Sequence, residues 1–275
     1  MRIAIIGAKG MLGSALAEEF ADEQPILFDI SELDLTHAGS VHRALDDARP
    51  TIVLNAAAYT DVDGCEDHEA EAYAVNALGV KHLAAWCKRA GALLVHYSTD
   101  YVFDGKKPEG YTEEDFPRPI NAYGRTKLAG ERFLLDSGAR FLLIRTSWLY
   151  GPHGKNFVDT IRKRAGEVPE LRVVNDQYGC PTYTRDLAHH TRALVEKEAT
   201  GIHHATNVGT TTWFDFARAI IVAAQLPTPV FPQSSSALTR KARRPMYSIL
   251  RNTKDERLRP WRKALIEYLR TATAV

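Results

Sequence analysis

Short apolar runs alternate with stretches of helical spacing through the first half of the chain. Residues 2–6, 25–30, 51–54, 92–97 and 141–146 are runs of β-formers and other apolar residues. Between them, residues 11–21 place Leu12, Leu16 and Phe20 on one helical face. Residues 41–48, the alanine-rich 66–90 and residues 123–135 carry further helical patterns. Strands separated by helices of this length predict right-handed crossovers and a parallel sheet. The runs are almost wholly apolar, as expected of strands covered by helices on both faces.

After Ser147 the rhythm loosens. Residues 156–166, 185–197, 213–224 and 261–271 read as helices, and 171–174, 202–205 and 229–231 as short strands. There is no internal repeat and no low-complexity tract. The largest irregular segment of the first half, residues 106–119, lies between a strand and a helix, where open α/β sheets place their ligands. The pattern predicts an α/β chain. A doubly wound parallel sheet occupies residues 1–148, joined by part of 170–190. A smaller C-terminal α/β substrate domain, mainly 149–275, packs over its crevice.

Composition narrows the function. Among 275 residues, 35 Lys and Arg face 34 Asp and Glu, a formal net charge of +1. No global positive field is available to hold a polyanion, so nucleic acid is not an expected partner. No apolar run approaches the roughly 20 residues that span a bilayer. The opening Arg-Ile-Ala-Ile-Ile-Gly run is too short for the core of a signal peptide. Cys65, Cys87 and Cys180 lie far apart with no C-x-x-C, which suits a reducing cytosol. A cytoplasmic protein without a membrane partner is expected.

The first strand runs into Gly7-Ala8-Lys9-Gly10-Met11-Leu12-Gly13, a G-x-x-G-x-x-G turn that opens a helix. Glycine lets the backbone turn tightly and approach a pyrophosphate, and the helix N–H groups then face the anion. This makes the sheet Rossmann-type and predicts a dinucleotide. Asp29 follows 22 residues after Gly7. A carboxylate there accepts from an adenosine ribose hydroxyl and leans towards NADH, whereas Lys9 favours a 2′-phosphate; NADPH or NADH is expected. Asp34 and Leu35 flank the adenine, and small Ala56, Ala57 and Ala58 let the coenzyme lie against the backbone.

Tyr123 and Lys127 form a Y-x-x-x-K pair, which puts both side chains on one helical face. A lysine ammonium beside a phenol would pull the phenol pKa down towards the working pH. Thr99, in Tyr97-Ser98-Thr99-Asp100-Tyr101-Val102-Phe103, supplies a hydroxyl at the end of the fourth strand. An acid, an orienting hydroxyl and a hydride carrier at successive strand ends make a carbonyl reductase.

These motifs, in this order, resemble the extended short-chain dehydrogenases/reductases. The strings Y-S-T-D-Y-V-F-D-G, N-A-Y-G-R-T-K-L-A-G-E, R-T-S-W-L-Y-G, N-D-Q-Y-G-C-P-T and T-T-T-W-F-D-F-A are similar, within that group, to the dTDP-4-dehydrorhamnose reductase family. The resemblance covers nearly the whole chain. It implies that Tyr123 protonates a sugar 4-keto oxygen while Lys127 tunes it and holds the nicotinamide ribose. It implies that Thr99 bonds the same oxygen, with Asp100 and Tyr101 beside it, and that Trp148 packs on the sugar. Asn156, Gln177 and Tyr178 then face the nucleotide-sugar, and the product is dTDP-L-rhamnose. Some members dimerise through magnesium held by carboxylates. The corresponding position on the first helix here is Ala15, so no metal is expected, and Glu18 and Glu19 read as a solvated face. A monomer or a homodimer is expected.

In the basic cluster 240–245, Arg244 is the candidate for a bidentate contact with the substrate pyrophosphate. The adjacent pairs His189–His190 and His203–His204 diverge on a helix or a strand and make poor metal sites. Cys180 has no paired base. Trp213, Phe214 and Phe216 read as core of the second domain. Two other readings stay open. One is a non-catalytic nicotinamide-binding subunit like the methionine adenosyltransferase β subunit. The other is a sugar-nucleotide epimerase or dehydratase, although the Asp-Glu that follows Thr in dehydratases is Asp100-Tyr101 here.

Overall fold

The computed structural model describes residues 1–272. In chain order, the first half runs β1 (Ile3–Ile6), α1 (Met11–Glu19), β2 (Ile26–Phe28), α2 (Ala38–Ala48) and β3 (Ile52–Asn55). It continues through α3 (Gly64–Asp67), α4 (Glu69–Tyr73), α5 (Gly79–Ala90), β4 (Leu93–Thr99), α6 (Ala122–Asp136) and β5 (Phe141–Thr146). These strands pair in parallel in the order β5-β4-β3-β1-β2. The chain reverses its direction of winding between β1 and β3, and an open sheet of this kind forms its ligand crevice at that point, above the C-terminal strand ends. Every residue of β1, β3 and β4 is buried, with α1 on one face and α2 and α5 on the other.

The second half contributes β6 (Leu149–Tyr150), α7 (Phe157–Ala165), β7 (Leu171–Val174), β8 (Tyr178–Gly179), β9 (Thr182–Tyr183), α8 (Thr184–Glu196) and β10 (Gly201–His204). Then follow β11 (Asn207–Val208), β12 (Thr211–Thr212), α9 (Trp213–Ala223), β13 (Val230–Gln233), β14 (Leu258–Pro260) and α10 (Trp261–Ala272). β10 joins the main sheet as its sixth strand, parallel to β5, and Leu187, Ala188 and Leu194 of α8 share the core of α1. A separate core gathers Tyr150, Phe216, Ile220, Trp261 and Leu265 among α7, α9 and α10. Phe216 is fully buried there, with Trp213 and Phe214 packed at its edge.

The stretch 66–90 departs from the single helix its pattern predicts. It breaks at His68, whose backbone is not helical, and widens into a π-turn over Ala74–Leu78. Within the π-turn sits Asn76, a buried amide that bonds both the N–H and the carbonyl of Tyr59 and donates to Thr126 Oγ1 on α6 at 3.1 Å. A π-bulge of this kind is common near functional sites, and here it ties the floor of the crevice to the helix that carries Tyr123 and Lys127.

Candidate active site

The glycine turn and the exit of β3 touch. Gly7 has φ of 76°, and a Cβ on it would lie 2.8 Å from the Ala57 backbone. A Cβ on Gly13 would lie 2.0 Å from the Gly7 carbonyl oxygen, so α1 packs directly against the turn. These contacts shape one wall of a cavity of about 650 Å³. Gly7, Gly10, Met11, Leu12, Asp29, Asp34, Leu35, Ala56, Ala57, Ala58, Tyr123 and Lys127 all line it. Lys9 does not; its N–H donates to Asp29 Oδ2 at 3.1 Å instead. A larger cavity of about 800 Å³ lies among α7, α9 and α10 and contains none of these residues.

Asn121 sets the position of Tyr123. Its side chain accepts from the Gly124 N–H at 2.8 Å and caps α6. Glu66 accepts from the Ala122 N–H at 2.8 Å, and Gly124 lets the helix start press against the turn after β4. A Cβ on Gly124 would come within 2.1 Å of the Tyr101 carbonyl. The Tyr123 ring meets Tyr101 edge-on at 6.0 Å. Thr99 Oγ1 accepts from the Tyr101 N–H and donates to Asp100 Oδ1 at 3.0 Å.

Lys127 departs from the electrostatics predicted for a Y-x-x-x-K pair. Its ammonium donates to the Tyr97 carbonyl at 2.7 Å and lies 3.4 Å from His96 Nε2. Burial lowers its pKa to about 8. The Tyr123 phenol shifts upward, not downward; burial raises it and the Thr99 hydroxyl only partly offsets that. The physical reason is desolvation. Lys127 is buried outright and the Tyr123 ring is half enclosed at the cavity wall, and loss of hydration penalises whichever form is charged. Asp100 follows the same rule, its carboxyl pushed up to about 7 by burial, with one oxygen lacking a partner.

Trp148 stacks on Trp213 with ring centroids 3.4 Å apart, and Gly179 packs against its ring. Gln177 is buried, and Tyr178 stacks on Tyr247. Ser248 links this segment to the catalytic end of β4: its N–H donates to the Tyr178 carbonyl at 2.8 Å and its hydroxyl lies beside Asp100. Asn156 caps α7, accepting from the Asp159 N–H, and its amide nitrogen is taken up by Gly151, Asp159 and Tyr268. Arg244 closes its guanidinium fork on Asp63 at 2.8 and 2.9 Å. Burial pushes the Cys180 thiol up to about 11, away from thiolate chemistry. Among the described residues, no three His, Cys, Asp or Glu side chains form a metal-binding group. No described helix is long and apolar enough to cross a membrane.

Several lining residues lie outside the site set expected from the sequence, although Ser98 stands next to Thr99, which belongs to it. Ser98 Oγ and Thr146 Oγ1 are buried without a partner at the ends of β4 and β5, and both residues line the cavity. His153, Gly154 and Lys155 reach the same cavity from the β6–α7 loop. Ser98 and Thr146 stand inside the Y-S-T-D-Y-V-F-D-G and R-T-S-W-L-Y-G strings, but only the register of two strands and the path of a loop bring these residues to one cavity. The glycine cradle, the small alanines and these unsatisfied hydroxyls fit a dinucleotide with a carboxamide-bearing ring at the strand ends.

The family model described as RmlD substrate binding domain matches residues 1–274. A dTDP-4-dehydrorhamnose reductase from Burkholderia thailandensis is 41% identical over 270 residues, covering 92% of this chain and 91% of that protein. The chain belongs to the dTDP-4-dehydrorhamnose reductase family. A family relative from Streptomyces niveus, 40% identical over 253 residues, is named dTDP-4-keto-6-deoxy-D-glucose reductase; the match covers 90% of this chain and 87% of that protein. The dTDP-4-dehydrorhamnose reductase of Bacillus anthracis, solved in complex with NADP, superposes with a TM-score of 0.96 at 38% identity and covers 98% of this chain and 99% of that one. The reductase family thus accounts for the whole chain, including the half beyond the main sheet.

Proposed function

We propose that this protein reduces dTDP-4-dehydrorhamnose (dTDP-4-dehydro-6-deoxy-L-mannose) to dTDP-L-rhamnose with NADPH or NADH. The observation that carries this reading is that Tyr123 and Lys127 open into the same cavity as the Gly7–Gly13 turn, with Thr99 beside the phenol. When bound, the reduced nicotinamide supplies a hydride for the sugar C4. Tyr123 supplies the proton to the C4 oxygen, and its raised pKa keeps the phenol protonated and ready to donate. Thr99 holds the same oxygen. Lys127 holds the nicotinamide ribose and, through its charge, favours the phenolate left after proton transfer. Gly7, Gly10, Met11 and Leu12 hold the pyrophosphate, Asp29 the adenosine ribose, Asp34 and Leu35 the adenine, and Ala56–Ala58 the face of the coenzyme.

Asp100, Tyr101, Trp148, Gln177 and Tyr178 form the sugar-nucleotide side. Arg244 is left out of the pyrophosphate site because Asp63 already occupies both of its fork nitrogens. Asn156 is left out because its amide is spent within its own loop. The sheet of residues 1–148, with α8 and β10 returned to it, forms the coenzyme half, and the rest of 149–275 the sugar-nucleotide half. The enzyme is read as cytosolic, and as a monomer or homodimer. The test is a coenzyme-absorbance assay with two ketosugars, dTDP-4-dehydrorhamnose and dTDP-4-keto-6-deoxy-D-glucose. Stoichiometric coenzyme oxidation with the first, and much slower oxidation with the second, is expected. Product formation without coenzyme oxidation would replace reduction by epimerisation.

A further inference from the structure

The loop between β6 and α7 crosses the mouth of the coenzyme cavity. His153, Gly154 and Lys155 line that cavity together with the glycine turn, although they come from the other half of the chain. The tip of the loop seats on α1: a Cβ on Gly154 would lie 2.9 Å from Met11 Cβ. Met11 is the first residue of α1, directly after Gly10. The contact therefore puts the loop at the end of that helix where free N–H groups and the positive macrodipole receive a phosphate.

The base of the loop is fastened separately. Asn156 Nδ2 donates to the carbonyl oxygens of Gly151 at 2.9 Å and Gly154 at 3.3 Å. Tyr268, on α10, donates from its hydroxyl to the Gly151 carbonyl at 3.2 Å. Seated at its tip and tied at its base, the loop presents two basic side chains that no described carboxylate pairs with, His153 and Lys155. The carboxylates of the cavity are engaged elsewhere. Asp29 accepts from the N–H groups of Lys9 and Ile30, and Asp34 from Thr36. Lys127 is turned to the Tyr97 carbonyl. An unneutralised cation at a phosphate-binding helix end calls for an anion.

We infer that Lys155, with His153 beside it, is a second binding element for the coenzyme pyrophosphate, delivered by a strap from the sugar-nucleotide half, and that Asn156 is the positioning residue that holds this strap. The inference rests on the coenzyme reading above. It assigns the pyrophosphate over an adenosine 2′-phosphate because the strap sits on Met11 and not beside Asp29 at the end of β2. The coenzyme is thereby gripped by both halves of the chain.

The experiment titrates NADPH and NADH separately into the full chain and into Lys155→Ala and Lys155→Arg variants, reading protein fluorescence. Lys155 is exposed, so both variants are expected to fold. Lys155→Ala raises both dissociation constants alike, by about tenfold, the scale of one charge-assisted hydrogen bond, and Lys155→Arg recovers most of that loss. Asn156→Ser, which keeps a helix cap but loses the amide donors, raises the coenzyme KM more than it lowers kcat. A loss for NADPH alone moves the charge to the 2′-phosphate and overturns the pyrophosphate assignment. Unchanged affinity for both coenzymes overturns the inference altogether. Failure of the coenzyme reading is a different result, seen when the unmodified chain binds neither nucleotide.

Discussion

Lys127 donates to the main-chain carbonyl of Tyr97 across 2.7 Å, from a side chain almost wholly removed from solvent. The bond runs from the second turn of α6 to β4 and fixes the lysine beneath the cavity. It does not recover the hydration that the ammonium has lost, and burial still lowers the pKa to about 8.

Lys127→Met is therefore expected to cost activity and add stability. Turnover falls at least about 100-fold, the scale of a lost electrostatic contribution at the reacting group. Stability at pH 7 rises by roughly 1–3 kcal/mol: the pKa shift corresponds to about 3 kcal/mol, less the bond to the Tyr97 carbonyl. The sign of the pH dependence follows from linkage. The folded pKa lies below the unfolded value, so the unfolded chain holds the extra proton between about pH 8 and 10.5, and stability of the parent rises with pH through that window. Thermal melts of parent and variant should converge as pH approaches 10; a constant difference would show that the buried charge is not the cause.

Tyr123→Phe removes the phenol and leaves the ring that meets Tyr101 edge-on. Turnover should drop by about 100-fold or more while coenzyme titrations stay close to the parent. Equal turnover in the two proteins would take the proton donor away from Tyr123.

Asp100 has the opposite linkage. Its folded pKa, about 7, lies above the unfolded value. Between about pH 4 and 7 the folded chain keeps a proton that the unfolded chain has released, so stability falls as pH rises through this window and the penalty is complete above it. Asp100→Asn, close in size and without the ionisation, should melt higher than the parent at pH 8 and show little advantage at pH 4. A variant less stable than the parent at pH 8 would mean that the carboxylate is well satisfied by Ser248 and Thr99.

Much of this protein was legible along the chain. The uniformly apolar runs become fully buried parallel strands because helices cover both faces of the sheet, and that requirement shows in residue type alone. The glycine spacing marks a turn that tolerates no side chain where the glycines stand, and the four-residue spacing of Tyr123 and Lys127 marks one face of a helix. Both are local constraints, written within a few residues. The tertiary structure decided what depends on distant partners. The run at 202–205 read as a strand of the second half but joins β5 in the main sheet, because pairing depends on a neighbour some sixty residues away. The alanine-rich stretch widens into a π-turn where Asn76 finds Tyr59 and Thr126. The charge states of Lys127, Tyr123 and Asp100 follow from lost hydration, and Lys155 shares a cavity with the glycine turn only because Gly154 of its loop seats on Met11. Residue order encodes local geometry and the pattern of burial; long-range juxtaposition and dehydration are properties of the packed chain.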